Sequence, residues 1–167
     1  MRHSLVVGLH LNMPKSQIVD DAVREHRNRV WWTAYVFDRI FATNLGDPVS
    51  VPEEVIGASL PTDLPSPPGD FVGSACFIAR IRLMSVFSDA VESIYDRNPQ
   101  AKLQRPPLGQ RIEAAYRKLC DWKRTLLPEL QMAPGSETES RSMIVSLHLQ
   151  YHQVSMHLEE RMRQNDH

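Results

Sequence analysis

The chain is 167 residues long, a size for one domain or a large part of one. Its 42% apolar and 23% charged residues exclude collagen-like, rod-like and wholly disordered chains. Nineteen basic residues against 20 acidic ones leave a formal charge of −1, which supplies no global field for gripping DNA. The first element in chain order is a helix predicted over about 16–44. Val19, Val23, Val30, Phe37 and Phe41, with Ala34 between them, recur by sums of three and four and predict one buried stripe. Pro14 and Ser16 mark its start, with Ser16 as N-cap and Asp20 and Asp21 near the positive dipole end. Leu45-Gly46-Asp47-Pro48 stops it.

Prolines 48, 52, 61, 65, 67 and 68 then make residues 48–69 a Pro-rich extended linker, anchored by Val49, Val51, Val55, Ile56 and Leu60. A second helix is predicted over 71–95, with Ala79, Leu83, Val86, Ala90 and Ile94 in register. A third, over 108–127, carries Ile112, Ala115, Leu119, Trp122 and Leu126 before Pro128. A fourth, over 139–163, carries Leu147, Tyr151, Val154, Leu158 and Met162. The expectation is an all-α, irregular multi-helix bundle with long Pro-rich connections, a single partial domain over 1–167. It is expected to be incomplete at both ends: Ser4 to His10 reads as the end of a helix with Gly8 near its terminus. A secretory leader is not expected, because Leu5 to Leu11 is broken by Gly8 and His10, and no run reaches the ~18 apolar residues of a membrane span.

No set of residues capable of catalysis is evident, so the chain is not expected to be an enzyme. There is no G-x-S-x-G elbow, and the seven scattered glycines write no phosphate-cradling loop. Cys76 and Cys120 are too far apart for a C-x-x-C clip and are expected to pack as small hydrophobes. His148 and His152 share a helical face at i, i+4, but the residues between them are Leu149-Gln150-Tyr151 and include no glutamate base. No metal is assigned, and the two imidazoles are expected to hydrogen-bond neighbours or water.

The densest feature is Arg24-Glu25-His26-Arg27-Asn28-Arg29-Val30-Trp31-Trp32, a basic run leading into a tryptophan pair. Basic charge beside aromatics can bind nucleic acid. The structural reading is that Glu25 pairs with Arg29 at i, i+4, the arginines lie over the indoles, and both tryptophans anchor the core. Asp38 and Arg39, about 100° apart on a helix, are expected to find separate partners; a buried Asp38 would need an arginine.

The run from Glu25 to Arg39, ending Trp31-Trp32-Thr33-Ala34-Tyr35-Val36-Phe37-Asp38-Arg39, resembles the signature of the fungal-specific transcription factor domain, the middle homology region of Zn2Cys6 binuclear-cluster regulators. Leu45-Gly46-Asp47-Pro48, Glu53-Glu54 and Leu60-Pro61 continue the likeness. So do Gly8-Leu9-His10, Trp122 with Leu127-Pro128-Glu129-Leu130, and Leu147 to His152. The resemblance implies an α-helical regulatory region, located in the nucleus, of a transcription factor. Glu25, Arg27, Arg29, Trp31, Trp32, Asp38, Arg39, Gly46 and Pro48 are its structural signature. It implies no cofactor in this chain, and zinc in a separate cluster of six cysteines that places a short helix in the DNA major groove. DNA would be met only through that cluster. A corepressor, a coactivator, a small inducer or a second copy are the partners implied, with no membrane. The alternative is a stand-alone helical small-molecule-binding protein or enzyme with a pocket between helices one and two. A truncated product without an independent fold is a third reading.

Overall fold

The computed structural model describes residues 8–11, 20–45, 49–62, 71–95, 105–132 and 141–165. Among them are four long helices and no strand, so the protein is all-α. These are α1 (Asp21–Leu45), α2 (Phe71–Tyr95), α3 (Leu108–Arg124) and α4 (Arg141–Asn165). Two single turns of 3-10 helix lie at Glu53–Val55 and Pro128–Leu130. The chain divides into two compact units, Met1–Met84 and Ser85–His167, with the division falling inside α2.

Helix limits follow local chemistry. α1 starts at Asp21, not near residue 16, because the Asp20 carboxylate accepts the Ala22 backbone N–H at 2.8 Å and caps the first turn. The cap expected at Ser16, and Gly46 and Pro48 at the other end, lie outside the described residues. α2 has the expected limits. α3 stops at Arg124, three residues early, where Thr125 Oγ1 donates to the Trp122 carbonyl and Pro128 opens the next turn. α4 begins at Arg141 and ends at Asn165, two residues later at each end than the pattern predicts.

In the second unit the apolar stripes point inward as expected. Ile112, Ala115, Leu119, Trp122 and Leu126 are all buried, and so are Leu147, Val154 and Leu158. α3 and α4 pack on each other, and Trp122 stacks on Tyr151 with ring centroids 5.6 Å apart. Met162 departs from the pattern and is exposed near the end of α4.

In the first unit the stripe predicted for α1 is on the wrong face. Val23, Val30, Phe37 and Phe41 are 54, 41, 54 and 57% exposed, whereas Glu25, Asn28, Trp31, Trp32, Tyr35, Val36 and Arg39 are buried. Both sets satisfy a 3.6-residue period, and they lie on opposite sides of the helix. Which side turned inward was decided by the residues that follow α1. The linker anchors also differ from expectation. Val51 and Pro61 are buried, but Val55 and Leu60 stand exposed, so apolar contact is only part of what holds the segment.

Candidate functional site

The inward face of α1 and residues 49–62 form a clasp made largely of side-chain hydrogen bonds. The segment runs as a strap antiparallel to the helix, and successive turns of α1 each reach one part of it. At the N-terminal end the Glu25 carboxylate accepts from Arg29 Nε at 2.8 Å, from the Thr62 backbone N–H at 3.1 Å and from Thr62 Oγ1 at 3.0 Å. Arg29 then donates to the Thr62 carbonyl at 3.2 Å and to Ser74 Oγ on α2 at 3.0 Å. A carboxylate with three donors is well compensated for its burial.

One and two turns further on, Trp32 Nε1 donates to the Ser59 carbonyl at 2.8 Å and Tyr35 Oη donates to Glu53 Oε1 at 2.5 Å. Each ring thus buries an apolar body and spends its polar tip on the strap. At the C-terminal end lies Arg39, 1% exposed. Its guanidinium donates to the Val51 carbonyl at 2.6 Å, to Glu53 Oε1 at 3.2 Å and to Asp38 Oδ2 at 2.8 Å, and lies 4.2 Å above the Tyr35 ring. Asp38 also accepts from the Ser50 backbone N–H at 3.0 Å and from Ser50 Oγ. Taking a guanidinium out of water is costly, and here two carboxylates, a carbonyl and a π-face offset that cost.

Asp38 and Arg39 therefore do pair with each other, contrary to the expectation from their 100° separation. The strap brings Ser50, Val51 and Glu53 to that edge of α1, and both long side chains bend toward the same polar cluster. The arginines also have other partners than the indoles: Arg29 turns to Thr62 and Ser74, and Arg27 Nη2 reaches the Gly8 carbonyl at 3.5 Å. Gly8 sits at φ +69°, in the left-handed region that favours glycine, and opens a turn whose His10 ring lies 5.7 Å from Trp31. The His10 carbonyl accepts the Gly57 N–H at 2.8 Å, so this turn is tied to the strap as well.

Of the residues singled out from sequence, Glu25, Arg27, Arg29, Trp31, Trp32, Asp38 and Arg39 all lie in or beside the clasp. Trp31 is fully buried and Trp32 nearly so. Sequence reasoning missed Ser50, Ser59 and Thr62, and it met Tyr35 and Glu53 only as parts of the resemblance, with no partners assigned. Their partners are 12 to 37 positions away, and only folding brings them together.

The second unit holds a smaller polar node. His148, buried on α4, has Nε2 2.8 Å from the Leu130 carbonyl and Nδ1 2.7 Å from Lys123 Nζ. The carbonyl can only accept, so Nε2 carries the proton and Nδ1 accepts from the lysine. Burial pushes the Lys123 pKa down, and its ammonium lies 4.8 Å from the Tyr151 ring centroid. His152 is exposed against the edge of Tyr151, and the two imidazoles have separate surroundings. Among the described residues no group of three His, Cys, Asp or Glu side chains is placed to hold a metal ion. Burial raises the Cys76 thiol pKa, against a lowering by nearby Arg80.

An open groove of about 910 Å³ lies between the second half of α2 and α3. Its cations are committed to the protein: Lys118 pairs with Asp89 at 2.8 Å, Arg117 with Glu113 at 2.7 Å, and Arg111 donates to the Ser93 carbonyl.

These features define an all-helical protein whose best-developed polar site is a fastening between one helix and its strap. Residues 1–69, which contain that fastening, match the family described as the fungal specific transcription factor domain. The chain is 30% identical over 146 residues to an uncharacterized transcriptional regulatory protein of Schizosaccharomyces pombe, covering 85% of this chain and 18% of that protein. It is 24% identical over 173 residues to the transcription factor FBD3 of Gibberella moniliformis, covering 93% and 22%. A 66-residue stretch is 39% identical to the negative regulator of pleiotropic drug resistance STB5 of Candida glabrata, covering 38% and 7%. The chain thus spans about a fifth of the length of the first two relatives. No solved structure matches the chain. Among the described residues no helix is long and apolar enough to cross a membrane.

Proposed function

We propose that this chain is a regulatory, non-catalytic region of a fungal zinc-cluster transcription factor, acting in the nucleus without touching DNA itself. The observation that carries the reading is how the family signature is used: Glu25, Arg29, Trp32 and Arg39 are turned inward and spent on hydrogen bonds to the strap. The near-zero net charge supports the same conclusion, because non-specific DNA affinity comes from neutralised phosphates. DNA contact would belong to a separate Zn2Cys6 module, which would also hold the zinc. Partners of this region would be a corepressor, a coactivator or a small inducer.

The test has two arms. Fluorescence anisotropy with duplex DNA at about 150 mM salt should show no binding by the 167-residue chain up to about 50 µM. In cells, a reporter driven by the full-length factor should lose its regulated response when Arg39 is changed to alanine, while promoter occupancy persists. Micromolar DNA binding by the chain that disappears in an Arg27→Ala, Arg29→Ala variant would sink the proposal, as would loss of occupancy together with response.

A further inference from the structure

The second unit carries an amine nucleophile that the regulatory reading does not use. Lys123 lies in the last turn of α3, half-buried, with its Nζ 2.7 Å from His148 Nδ1 on α4. His148 is 4% exposed, and its Nε2 lies 2.8 Å from the Leu130 carbonyl in the turn Pro128–Leu130. Because a carbonyl only accepts, the ring keeps its proton on Nε2 and presents the Nδ1 lone pair to the amine. A nucleophile in hydrogen-bond reach of a base, with that base oriented by a third group, is the arrangement that activates nucleophiles.

Burial lowers the Lys123 pKa, which raises the share of free amine. The Tyr151 ring, itself stacked on Trp122, walls one side of the amine with its centroid 4.8 Å away. Lys118, the other lysine among the described residues, is placed differently. It is exposed on the same helix and ion-paired with the Asp89 carboxylate at 2.8 Å. A carboxylate favours the charged, non-nucleophilic form of an amine, whereas an imidazole lone pair can take the proton that the amine loses on reaction.

We propose that Lys123 is a covalent acylation site, modified once by an acyl thioester with His148 as the proton acceptor. The lone pair of neutral Nζ attacks the thioester carbonyl carbon and forms the C–N bond. His148 Nδ1 takes the proton released from nitrogen, the C–S bond breaks, and the departing thiolate carries that proton away. The products are an amide on Lys123 and a free thiol, with no oxidant or reductant consumed. A thioester suits a site with a single base, because only one proton has to pass from nitrogen to sulfur. The reaction stops at the amide, whose remaining N–H can still donate to Nδ1 and which has no charge for burial to disfavour. The chain is thus an acyl acceptor and not a turnover catalyst. This inference stands on the α3–α4 node and is independent of the regulatory reading, which survives if it fails.

The probe is acetyl-coenzyme A, incubated at neutral pH with the 167-residue chain, and site occupancy is read by peptide mass spectrometry. Lys123 should be acetylated at least about tenfold faster than Lys118, which serves as the reference within the same molecule. His148→Gln should slow Lys123 at least about tenfold, with the Lys118 rate and the circular-dichroism spectrum those of the parent chain. Unfolding in urea should abolish the difference between the two lysines, a comparison that needs no variant to fold. Equal rates at the two lysines in the native chain, a preference that persists in urea, or an unchanged Lys123 rate in folded His148→Gln would each overturn the proposal.

Discussion

In the first unit α1 buries Glu25, Asn28 and Arg39 beside its tryptophans and Tyr35, whereas in the second α3 buries Ile112, Ala115, Leu119 and Trp122. The two helices satisfy the same 3.6-residue period with different chemistry. α3 is held by apolar burial, which is non-directional and scales with area. α1 is held by hydrogen bonds whose donors and acceptors must each meet one particular atom of the strap. The difference teaches that a polar inward face specifies a partner segment residue by residue.

That contrast can be broken first at Arg39. Arg39→Ala leaves Asp38 and Glu53 without their buried cation and should cost about 3–5 kcal/mol, measured by urea titration. A loss near that of an exposed ion pair, below about 1 kcal/mol, would show that the cluster does not fasten the strap. In the second unit Leu119→Ala removes a fully buried side chain and should cost about 2–4 kcal/mol through the cavity it leaves. Hydrogen exchange should separate the two variants: Arg39→Ala should expose amides of the strap, and Leu119→Ala those of α3 and α4.

A subtler change sharpens the comparison. Thr62→Val keeps the shape of the side chain but removes the hydroxyl that donates to Glu25, and should cost about 1–2 kcal/mol. A melting temperature equal to that of the parent chain would mean that Glu25 is satisfied without it.

The smallest expected effect is that of pH on the second unit. Burial lowers the pKa of His157, which sits edge-on to Phe87; nearby Arg161 lowers it further and Glu160 opposes both. Above its ordinary value of 6.5 the group is neutral in the folded and unfolded chains alike. As the pH falls through that value the unfolded chain takes up the proton first, so stability declines until the folded group titrates at its lowered value. Melting followed from pH 7.5 to pH 5.5 should show a slight fall, reduced in His157→Gln. A fall of the same size in that variant would assign the effect to other groups.

Much of the fold was legible from residue spacing. α2 has its predicted limits, the stripe of α3 faces inward at every predicted position, and Glu25 pairs with Arg29 as i, i+4 geometry allows. The orientation of α1 was not legible, because Val23, Val30, Phe37 and Phe41 make as good a stripe as the set that is buried. A signal was present in the tryptophan pair: Trp31 and Trp32 both need burial, and neither belongs to the outward stripe. Asp38 with Arg39 shows the same limit at smaller scale, since adjacent helix positions diverge unless a third group draws both side chains together, as Ser50, Val51 and Glu53 do here.

By itself the amino-acid order determined where helices form and where prolines forbid them, since these depend on neighbours within a few residues along the chain. Only the tertiary structure decided which face of α1 is inside. That choice rests on donors and acceptors between helix and strap lying 12 to 37 residues apart, and a buried arginine or glutamate is stable only where such partners converge.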